Sequence, residues 1–254
     1  MSDNLVNVWR EADGAVAVVE LNNPPVNALS VELWSAIGAA FTAILDDTAV
    51  KAVVLTGSGR RAFCGGADVR QFLVLTPETR LERQQQVNGV LDVLTNYPLP
   101  VIAAINGPAV GGGITLCTVC DIRISAATAH FSMPEISRGT AGGGGAFLRR
   151  LSMPEGLLRL MLFTGRRFSA AEAAQGHLID MVVPAEDVLA TALRLAADIA
   201  DKDRASLILM KRAILDSERT VGDWMVAYKA THAATAEMTG LDAGREGIEA
   251  FLKA

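Results

Sequence analysis

The sequence predicts an α/β fold with largely parallel strand pairing, and three features lead to this prediction. Short apolar segments alternate with segments of helical periodicity along the first 200 residues. Half of the residues are hydrophobic and a fifth are charged, which supplies enough apolar material for a buried core. A length of 254 residues suits one large domain, or one domain with a helical appendage.

The N-terminal segments predict a β-hairpin followed by a helix. Strand-like runs at Val6–Arg10 and Ala15–Leu21 flank Asp13-Gly14, a pair that favours a tight turn. Ser30 is a suitable N-cap for a helix that reaches about Leu45. The apolar residues of this helix fall on one stripe: Leu33, Trp34, Ile37, Phe41, Ile44 and Leu45.

The middle of the chain continues the alternation, and the C-terminal part is mainly helical. Further strands are predicted at Ala52–Thr56, Val101–Ile105, Ile122–Ser125 and Asp180–Val183. Helices are predicted at Pro77–Tyr97, Gly113–Cys120, Glu155–Phe163, Ala170–Gly176 and Glu186–Ala200, and in segments beyond Arg204. We therefore divide the chain into a core domain, residues 1–200, and a C-terminal helical region, residues 201–254.

Two glycine-rich loops are the first candidates for chemistry. Phe63-Cys-Gly-Gly-Ala-Asp68 and Asn106-Gly-Pro-Ala-Val-Gly-Gly-Gly113 each follow a strand and lead into a helix, so each can present free backbone N–H groups. Glycines allow close approach, and two such N–H groups about 3 Å from one carbonyl oxygen would form an oxyanion hole. A helix starting near Gly113 would add a favourable dipole. Tight turns that pack helices on a sheet need the same glycines, and glycine content leaves both interpretations open.

The other glycine motifs do not support a nucleotide cofactor. Gly57-Ser-Gly59-Arg-Arg-Ala62 matches the dinucleotide pattern G-x-G-x-x-A after a strand, but Phe-Cys-Gly-Gly follows it instead of an apolar helix. No acidic residue ends a second strand about 20 positions later, as an NAD or FAD site requires. The run Gly142–Gly145 lacks the Gly-Lys-Ser/Thr ending of a phosphate loop.

Composition argues against several other classes of partner. The net charge of −5 and the scattered Lys and Arg residues give no support for a nucleic-acid partner. Three cysteines without a disulfide framework favour a reducing compartment, and the N-terminus has no signal-peptide pattern. No apolar run approaches ~18 residues, so we expect a cytoplasmic protein with no membrane partner. The three histidines lack ligand spacing, and we expect no metal.

Seven segments, in their order and spacing, resemble the crotonase superfamily, which includes enoyl-CoA hydratases and isomerases. They extend through nearly the whole chain: Asn23-Pro-Pro-Val-Asn-Ala-Leu-Ser30, Ala62-Phe-Cys-Gly-Gly-Ala-Asp68, Ile105-Asn-Gly-Pro-Ala-Val-Gly-Gly-Gly113, Cys120-Asp121, Phe131-Ser-Met-Pro-Glu135, Gly165-Arg-Arg-Phe-Ser-Ala170 and Glu246-Gly-Ile-Glu-Ala-Phe-Leu252. The resemblance implies a spiral of β-β-α units with a helical C-terminal trimerisation region, and a homotrimer or homohexamer. It also implies an acyl-CoA substrate, with coenzyme A as part of the substrate rather than a separate cofactor.

The resemblance also assigns roles to individual positions. The backbone N–H groups of Ala67 and Gly112 would form the oxyanion hole for the thioester, and Glu135 would be the general acid/base beside the acyl α-carbon. The implied substrate-binding positions are Val26, Ala28, Gly65, Ala67, Asp68, Val69, Gly112, Thr115 and Pro134. Without the resemblance, a glutamate that follows a proline at a strand end is more often a solvated residue than a catalytic one.

Three positions depart from the family pattern. The family has two glutamates, and the position of the first is occupied here by Thr115. This threonine could border the site or could simply be a helix residue packed in the core. Gly139-Thr-Ala-Gly142 lacks the usual proline of the acyl pocket. The C-terminal Phe-x-x-Lys pattern begins at Phe251 but reaches Ala254, so Lys253 is one position early for a contact with the CoA phosphates.

The single glutamate favours isomerisation over hydration. Hydrating a 2-enoyl thioester requires a water that is oriented and deprotonated, a task suited to two carboxylates, and Thr115 cannot be a base near neutral pH. Moving a double bond from the 3- to the 2-position needs one acid/base, and burial is expected to raise the pKa of Glu135 towards neutrality. The alternatives are a hydratase of low or unusual activity, another enolate reaction such as decarboxylation, and a non-catalytic acyl-CoA-binding protein.

Overall fold

The computed structural model describes residues 4–140, 144–219, 249–250 and 252–253. The strands are β1 (Val6–Glu11), β2 (Val16–Leu21), β3 (Ala52–Gly57), β4 (Val101–Ile105), β5 (Ala109–Val110), β6 (Ile122–Ala126), β7 (His130–Ser132), β8 (Phe168–Ser169) and β9 (Met181–Val183). The helices are α1 (Val31–Leu45), α2 (Val69–Phe72), α3 (Pro77–Thr95), α4 (Gly112–Val119), α5 (Gly144–Arg150), α6 (Glu155–Thr164), α7 (Ala170–Gln175), α8 (Val188–Ala200) and α9 (Arg204–Arg219).

The predicted hairpin and first helix are confirmed. Strands β1 and β2 pair in antiparallel register, with Val6 opposite Leu21. The Ser30 side chain caps α1 by accepting a hydrogen bond from the Leu33 N–H at 3.1 Å. The predicted apolar stripe of α1 is buried except at Leu45, the last helical residue, which is 36 % exposed.

The predicted parallel pairing is also confirmed. The six-stranded sheet has the order β1-β2-β3-β4-β6-β9, and only the β1–β2 pair within it is antiparallel. A second sheet, β5-β7-β8, was not predicted from the sequence. Its strands contain two or three residues each, which is too short for an alternating pattern to show.

Helices cover the large sheet and complete the core. Helix α8 packs against β3, β4 and β6, while α1 packs against α3. The Tyr97 ring meets the Phe41 ring edge to face at 4.9 Å, and the Tyr97 hydroxyl donates a hydrogen bond to the Phe41 carbonyl oxygen at 3.0 Å. Both rings are fully buried, so the hydroxyl group enters the core with its hydrogen bond made.

Polar contacts join α9 to the sheet. The Lys211 ammonium donates to the Leu99 carbonyl at 2.8 Å and to the Asp121 carboxylate at 2.7 Å, and that carboxylate also accepts from the Val101 N–H. The division of the chain near residue 200 stays a prediction. The predicted helical segments of residues 220–248, and Phe251 of the family pattern, lie outside the described residues. Of the helices that are described, none combines the length and apolar character needed to cross a membrane.

Candidate active site

The loop that contains Ala67 is held against the segment preceding α1. Leu29 donates its N–H to the Gly66 carbonyl at 2.7 Å, and its own carbonyl accepts from the Asp68 N–H at 3.2 Å. These bonds form a parallel bridge between Leu29 and Ala67. Backbone groups of successive extended residues point to opposite sides, so the Ala67 N–H points away from Leu29.

Gly112 brings a second backbone N–H to the same place. It is the first residue of α4, where an N–H has no intrahelical acceptor. A Cβ on Gly112 would lie only 3.8 Å from the Ala67 nitrogen and 4.0 Å from the Gly66 Cα. Among the described residues, neither the Ala67 nor the Gly112 N–H donates a hydrogen bond. The two loops therefore bring the Ala67 and Gly112 backbone nitrogens close together.

Glycine is required at Gly66 for steric reasons. Gly66 has φ +86°, and a Cβ there would lie 2.6 Å from the Val110 carbonyl oxygen. Hydrogen bonds from the Cys64 N–H to Pro108 (3.2 Å) and from the Val110 N–H to Cys64 (3.0 Å) fix this approach. The structure therefore confirms that these glycines pack the two loops closely, and the oxyanion hole stays a prediction.

The Glu135 carboxyl group lies against the second loop. Glu135 belongs to a 3₁₀ helix, Pro134–Arg138, that follows β7 closely. Gly111 has φ +52°, and a Cβ on it would be 2.5 Å from Glu135 Oε1, so a side chain at position 111 would displace the carboxyl group. The residue as a whole is half-buried, but its Oε2 atom is buried and has no hydrogen-bond partner.

Burial raises the pKa of Glu135 above the ordinary glutamate value, in the direction expected from the sequence. Two smaller effects oppose the rise: a hydrogen bond from the residue's own backbone N–H and the positive charge of Arg138. A buried carboxyl group with an unsatisfied oxygen and a raised pKa is well suited to exchange protons with a bound molecule.

Thr140 fixes the main chain of Glu135. Its N–H and its hydroxyl both donate to the Glu135 carbonyl oxygen, at 3.0 and 3.1 Å. Between them Gly139 has the left-handed φ of +66° that ends the 3₁₀ helix. On the other side, Gly165 at the end of α6 packs so closely that a Cβ on it would lie 3.1 Å from the Pro134 Cα. Pro134 and Glu135 are thereby held between α6 and the Thr140 turn.

Thr115 lies one helical turn beyond Gly111. Its N–H donates to the Gly111 carbonyl at 3.3 Å, and the residue is 5 % exposed. Gly111, the non-helical residue that precedes α4, faces the Glu135 carboxyl group, and Thr115 follows one turn further along the chain. The expectation that Thr115 packs within a helix and the expectation that it borders the site are therefore compatible.

The other positions predicted to bind substrate surround the Ala67 loop. The Gly65 N–H donates to the Val26 carbonyl at 2.8 Å, and the Asp68 side chain caps α2 by accepting from the Arg70 N–H. Helix α2 begins at Val69, directly after this cap. On the neighbouring segment, the Ala28 carbonyl accepts from Asn23 Nδ2 at 2.6 Å and from the Ser30 N–H at 3.1 Å.

Asn27 is a structural determinant of the site that the sequence analysis missed. It is 1 % exposed and has φ +53°, a conformation that asparagine tolerates better than most residues. Its Nδ2 lies within 3.2 Å of three carbonyl oxygens of the loop after β3, those of Ser58, Ala62 and Phe63. Its Oδ1 accepts from the Asn23 N–H and the Ser58 hydroxyl. The asparagine after Pro-Pro-Val was the available signal for this turn.

Comparison with known proteins agrees with this geometry. A family model described as enoyl-CoA hydratase/isomerase matches residues 11–253. The chain belongs to this family. The crotonyl-CoA hydratase of Syntrophomonas wolfei is 33 % identical over 250 residues, which covers 97 % of this chain and 95 % of that protein. The short-chain-enoyl-CoA hydratase of Clostridium acetobutylicum is 32 % identical over 253 residues, with coverages of 98 % and 95 %.

Solved structures agree with the family assignment. The crystal structure of an enoyl-CoA hydratase/isomerase from Mycobacterium paratuberculosis matches with a TM-score of 0.85 at 26 % identity, covering 97 % of this chain and 98 % of that one. A second enoyl-CoA hydratase/isomerase, from Pseudoalteromonas atlantica, also has a TM-score of 0.85, at 25 % identity and coverages of 98 % and 97 %. The resemblance to the crotonase superfamily and the predicted fold are therefore confirmed.

The cysteines of this enoyl-CoA hydratase/isomerase family member are poor candidates for nucleophiles. Cys64, Cys117 and Cys120 are buried, and burial raises the pKa of the Cys64 and Cys120 thiols to about 12. The pKa of the Cys117 thiol is raised as well, for the same reason. No group of three potential metal ligands occurs within the described part of the chain, and the expectation of no metal stays a prediction.

Gly66→Ala should show whether the close approach of the two loops matters for turnover. A control glycine with positive φ but no close neighbour accounts for the effect of backbone strain alone. Gly66→Ala should lower turnover of enoyl-CoA by about 10²-fold, because moving the Val110 carbonyl displaces the adjacent N–H groups. Gly14→Ala is the matched control, since Gly14 has φ +95° but has nothing within 4 Å of its Cβ position. It should cost about 1 kcal/mol of stability and leave turnover unchanged. Steady-state kinetics and urea unfolding measure both, and equal turnover in the two variants would contradict the prediction.

Proposed function

We propose that this protein catalyses the shift of a double bond between 3-enoyl-CoA and 2-enoyl-CoA. The observation that carries the proposal is the packing of one carboxyl group, Glu135, on Gly111 next to Gly112, with a threonine at position 115 and no second glutamate on α4. One carboxyl group suffices for this reaction, because the proton that leaves one carbon can return to another.

In the proposed mechanism, Glu135 is a base in the first step and an acid in the second. The thioester oxygen accepts hydrogen bonds from the Ala67 and Gly112 N–H groups, and the Glu135 carboxylate removes a proton from C2 of the 3-enoyl thioester. The electron pair delocalises into a dienolate whose negative oxygen the two N–H groups stabilise. Protonated Glu135 then delivers the proton to C4, which leaves the double bond between C2 and C3.

The position of α4 supports the oxyanion part of this mechanism. Gly112 is the first residue of the helix, so its N–H lies at the positive end of the helix dipole. Removing one donor from an oxyanion hole typically slows an enzyme by about 10²–10³-fold, so the two N–H groups would make a large contribution to catalysis. The substrate-binding role of Val26, Ala28, Gly65, Asp68, Val69, Thr115 and Pro134 remains part of the proposal.

The second candidate is hydration of 2-enoyl-CoA, and the names of the two relatives, both hydratases, favour it. A threonine hydroxyl can bind a water molecule, so Thr115 and Glu135 together could orient one near C3. The geometry supports this less well, because only one of the two side chains can accept the water's proton. A non-catalytic acyl-CoA-binding protein is the third candidate, and it would catalyse neither reaction.

We also propose, from family membership, a homotrimer or homohexamer assembled through the C-terminal helical region, acting in the cytoplasm. An acyl-CoA is the only small-molecule partner that the proposal requires, and no separate cofactor is needed. Light scattering of the purified protein would test the assembly independently of activity.

A pair of incubations discriminates among the three candidates. Purified protein is given 3-enoyl-CoA or 2-enoyl-CoA, and the position of the double bond and the formation of 3-hydroxyacyl-CoA are followed by mass spectrometry and NMR. Isomerisation without net hydration would support the proposal. Hydration as the faster reaction would favour the second candidate, and tight binding without either product would favour the third.

Glu135→Gln should abolish turnover with little loss of affinity. Glutamine keeps the shape of the side chain but cannot accept a proton, so kcat should fall by about 10²–10⁴-fold, while acyl-CoA affinity changes by a few-fold at most. Because the pKa of Glu135 is raised, its contribution to stability is lost as the pH rises through that pKa. The variant should therefore be at least as stable as the parent at pH 7. Exposed Glu186→Gln is the charge-matched control, and turnover retained in Glu135→Gln would remove Glu135 from the mechanism.

Thr115→Glu should increase hydration relative to isomerisation. In the proposed site the new carboxyl group would lie near Glu135 and could deprotonate a water molecule held between the two acids. The ratio of 3-hydroxyacyl-CoA to isomerised product, measured from one substrate, should rise at least about tenfold if two carboxylates supply general base catalysis. Thr115→Gln adds the same bulk without a base and should leave the ratio low. An equal ratio in both variants would count against the assigned position of Thr115.

The pH profile should report the ionisation of Glu135. Only the carboxylate can remove the first proton, so kcat/KM should rise with pH through the pKa of Glu135 and then level off. Burial raises that pKa, so the midpoint should lie above the ordinary glutamate value of 4.5. Stopped assays on isomerisation measure the profile. A midpoint at or below 4.5 would mean that another group controls the rate.

A further inference from the structure

Arg138 lies three residues after Glu135 on the same 3₁₀ helix. In a 3₁₀ helix the side chains of residues i and i+3 eclipse each other, so the Arg138 and Glu135 side chains leave the same side of the helix. Both residues are half-buried, in a segment that the Thr140 hydrogen bonds and Gly165 hold in place. The Arg138 and Glu135 side chains therefore start from the same side of one short helix.

Of the described elements, those packed around Glu135 contribute few other charges. Helix α4 contains no Asp, Glu, Lys, Arg or His. Helix α6 contains Glu155 and Arg159, which pair with each other at 3.0 Å on the surface. Strand β7 contains His130, the pKa of which is lowered by burial and by a nearby arginine, so it is neutral near pH 7. Within the described residues, Arg138 is the charged side chain that acts on Glu135.

We propose that Arg138 is a positioning residue whose charge keeps the buried Glu135 carboxyl group sufficiently ionised to accept a proton from the substrate. The inference rests on the proposed function, in which Glu135 must be deprotonated at the start of each cycle. Burial alone favours the neutral acid, and a nearby positive charge favours the carboxylate. The two effects oppose each other at one side chain.

The absence of a direct ion pair is consistent with this role. Within the described part of the chain Glu135 forms no ion pair, and its Oε2 has no hydrogen-bond partner. A charge at a distance stabilises the carboxylate through the low dielectric of the interior while leaving its oxygens free for the substrate. The influence is reciprocal, because burial lowers the pKa of Arg138 while the charge of Glu135 raises it. A bidentate pair would instead occupy both carboxylate oxygens.

Neutralising Arg138 should shift the acid limb of the kcat/KM profile to higher pH. Arg138→Met should move the midpoint up by about one pH unit. Arg138→Lys should leave the midpoint close to that of the parent, because lysine keeps the positive charge. Arg159→Met removes the same charge from α6 and should leave the midpoint unchanged. An unshifted midpoint in Arg138→Met, or an equal shift in Arg159→Met, would overturn the inference.

A readout without turnover separates this inference from the proposed function. The pKa of Glu135 can be measured by infrared spectroscopy in the absence of substrate. Subtracting the spectrum of Glu135→Gln from that of the parent isolates the absorption of the Glu135 carboxyl group, which is then followed across pH. The pKa should be higher when the comparison is made in the Arg138→Met background. Turnover retained in Glu135→Gln would defeat the proposed function, whereas an unchanged infrared pKa would defeat only the role of Arg138. Urea unfolding of Arg138→Met and Arg138→Lys should give stabilities close to that of the parent, which would show that a changed pKa does not arise from unfolding.

Discussion

The site depends on one steric constraint, the close approach of two backbone loops and a carboxyl group at positions where a Cβ cannot fit. Gly66 lies against the Val110 carbonyl, Gly111 lies against the Glu135 carboxyl group, and a Cβ on Gly112 would lie 3.8 Å from the Ala67 nitrogen. Because the glycines carry no side chain, the backbone of both loops and the Glu135 carboxyl group can pack this closely, as the proposed oxyanion hole requires. Larger residues would move these groups apart without necessarily unfolding the protein.

Polar side chains outside the site maintain this approach. Asn27 hydrogen-bonds to three carbonyls of the loop after β3, and Thr140 supplies two donors to the Glu135 carbonyl. Left-handed φ at Gly66, Gly111 and Asn27 is disfavoured for most residues and persists where neighbouring contacts determine it. These hydrogen bonds hold the loops in one arrangement, and the proposed electrostatic stabilisation requires such a fixed arrangement before a ligand binds.

The sequence was informative where the signal is local and uninformative where it depends on distant partners. Ser30 at the start of α1 and the apolar strands β3 and β4 could be predicted because capping and apolar runs are local patterns. The second sheet could not, since its strands have two or three residues each. The role of Asn27 depends on carbonyls 31–36 residues away. The proposed role of Arg138 depends on the packing of Glu135 against Gly111, a residue 24 positions earlier in the chain.

Family membership alone does not determine which reaction is catalysed, because the reaction also depends on the number of proton-transferring groups at the site. Relatives named as hydratases share the fold, but the chemistry at C2, C3 and C4 depends on which side chains surround them. In the proposed mechanism Thr115 replaces a second acid, and Glu135 accepts and returns the same proton, so neither its ionised nor its neutral form should be too stable. Burial favours the neutral form and Arg138 favours the ionised one. Such a balance suits a single group that acts in both directions, whereas two carboxylates can divide these tasks between them.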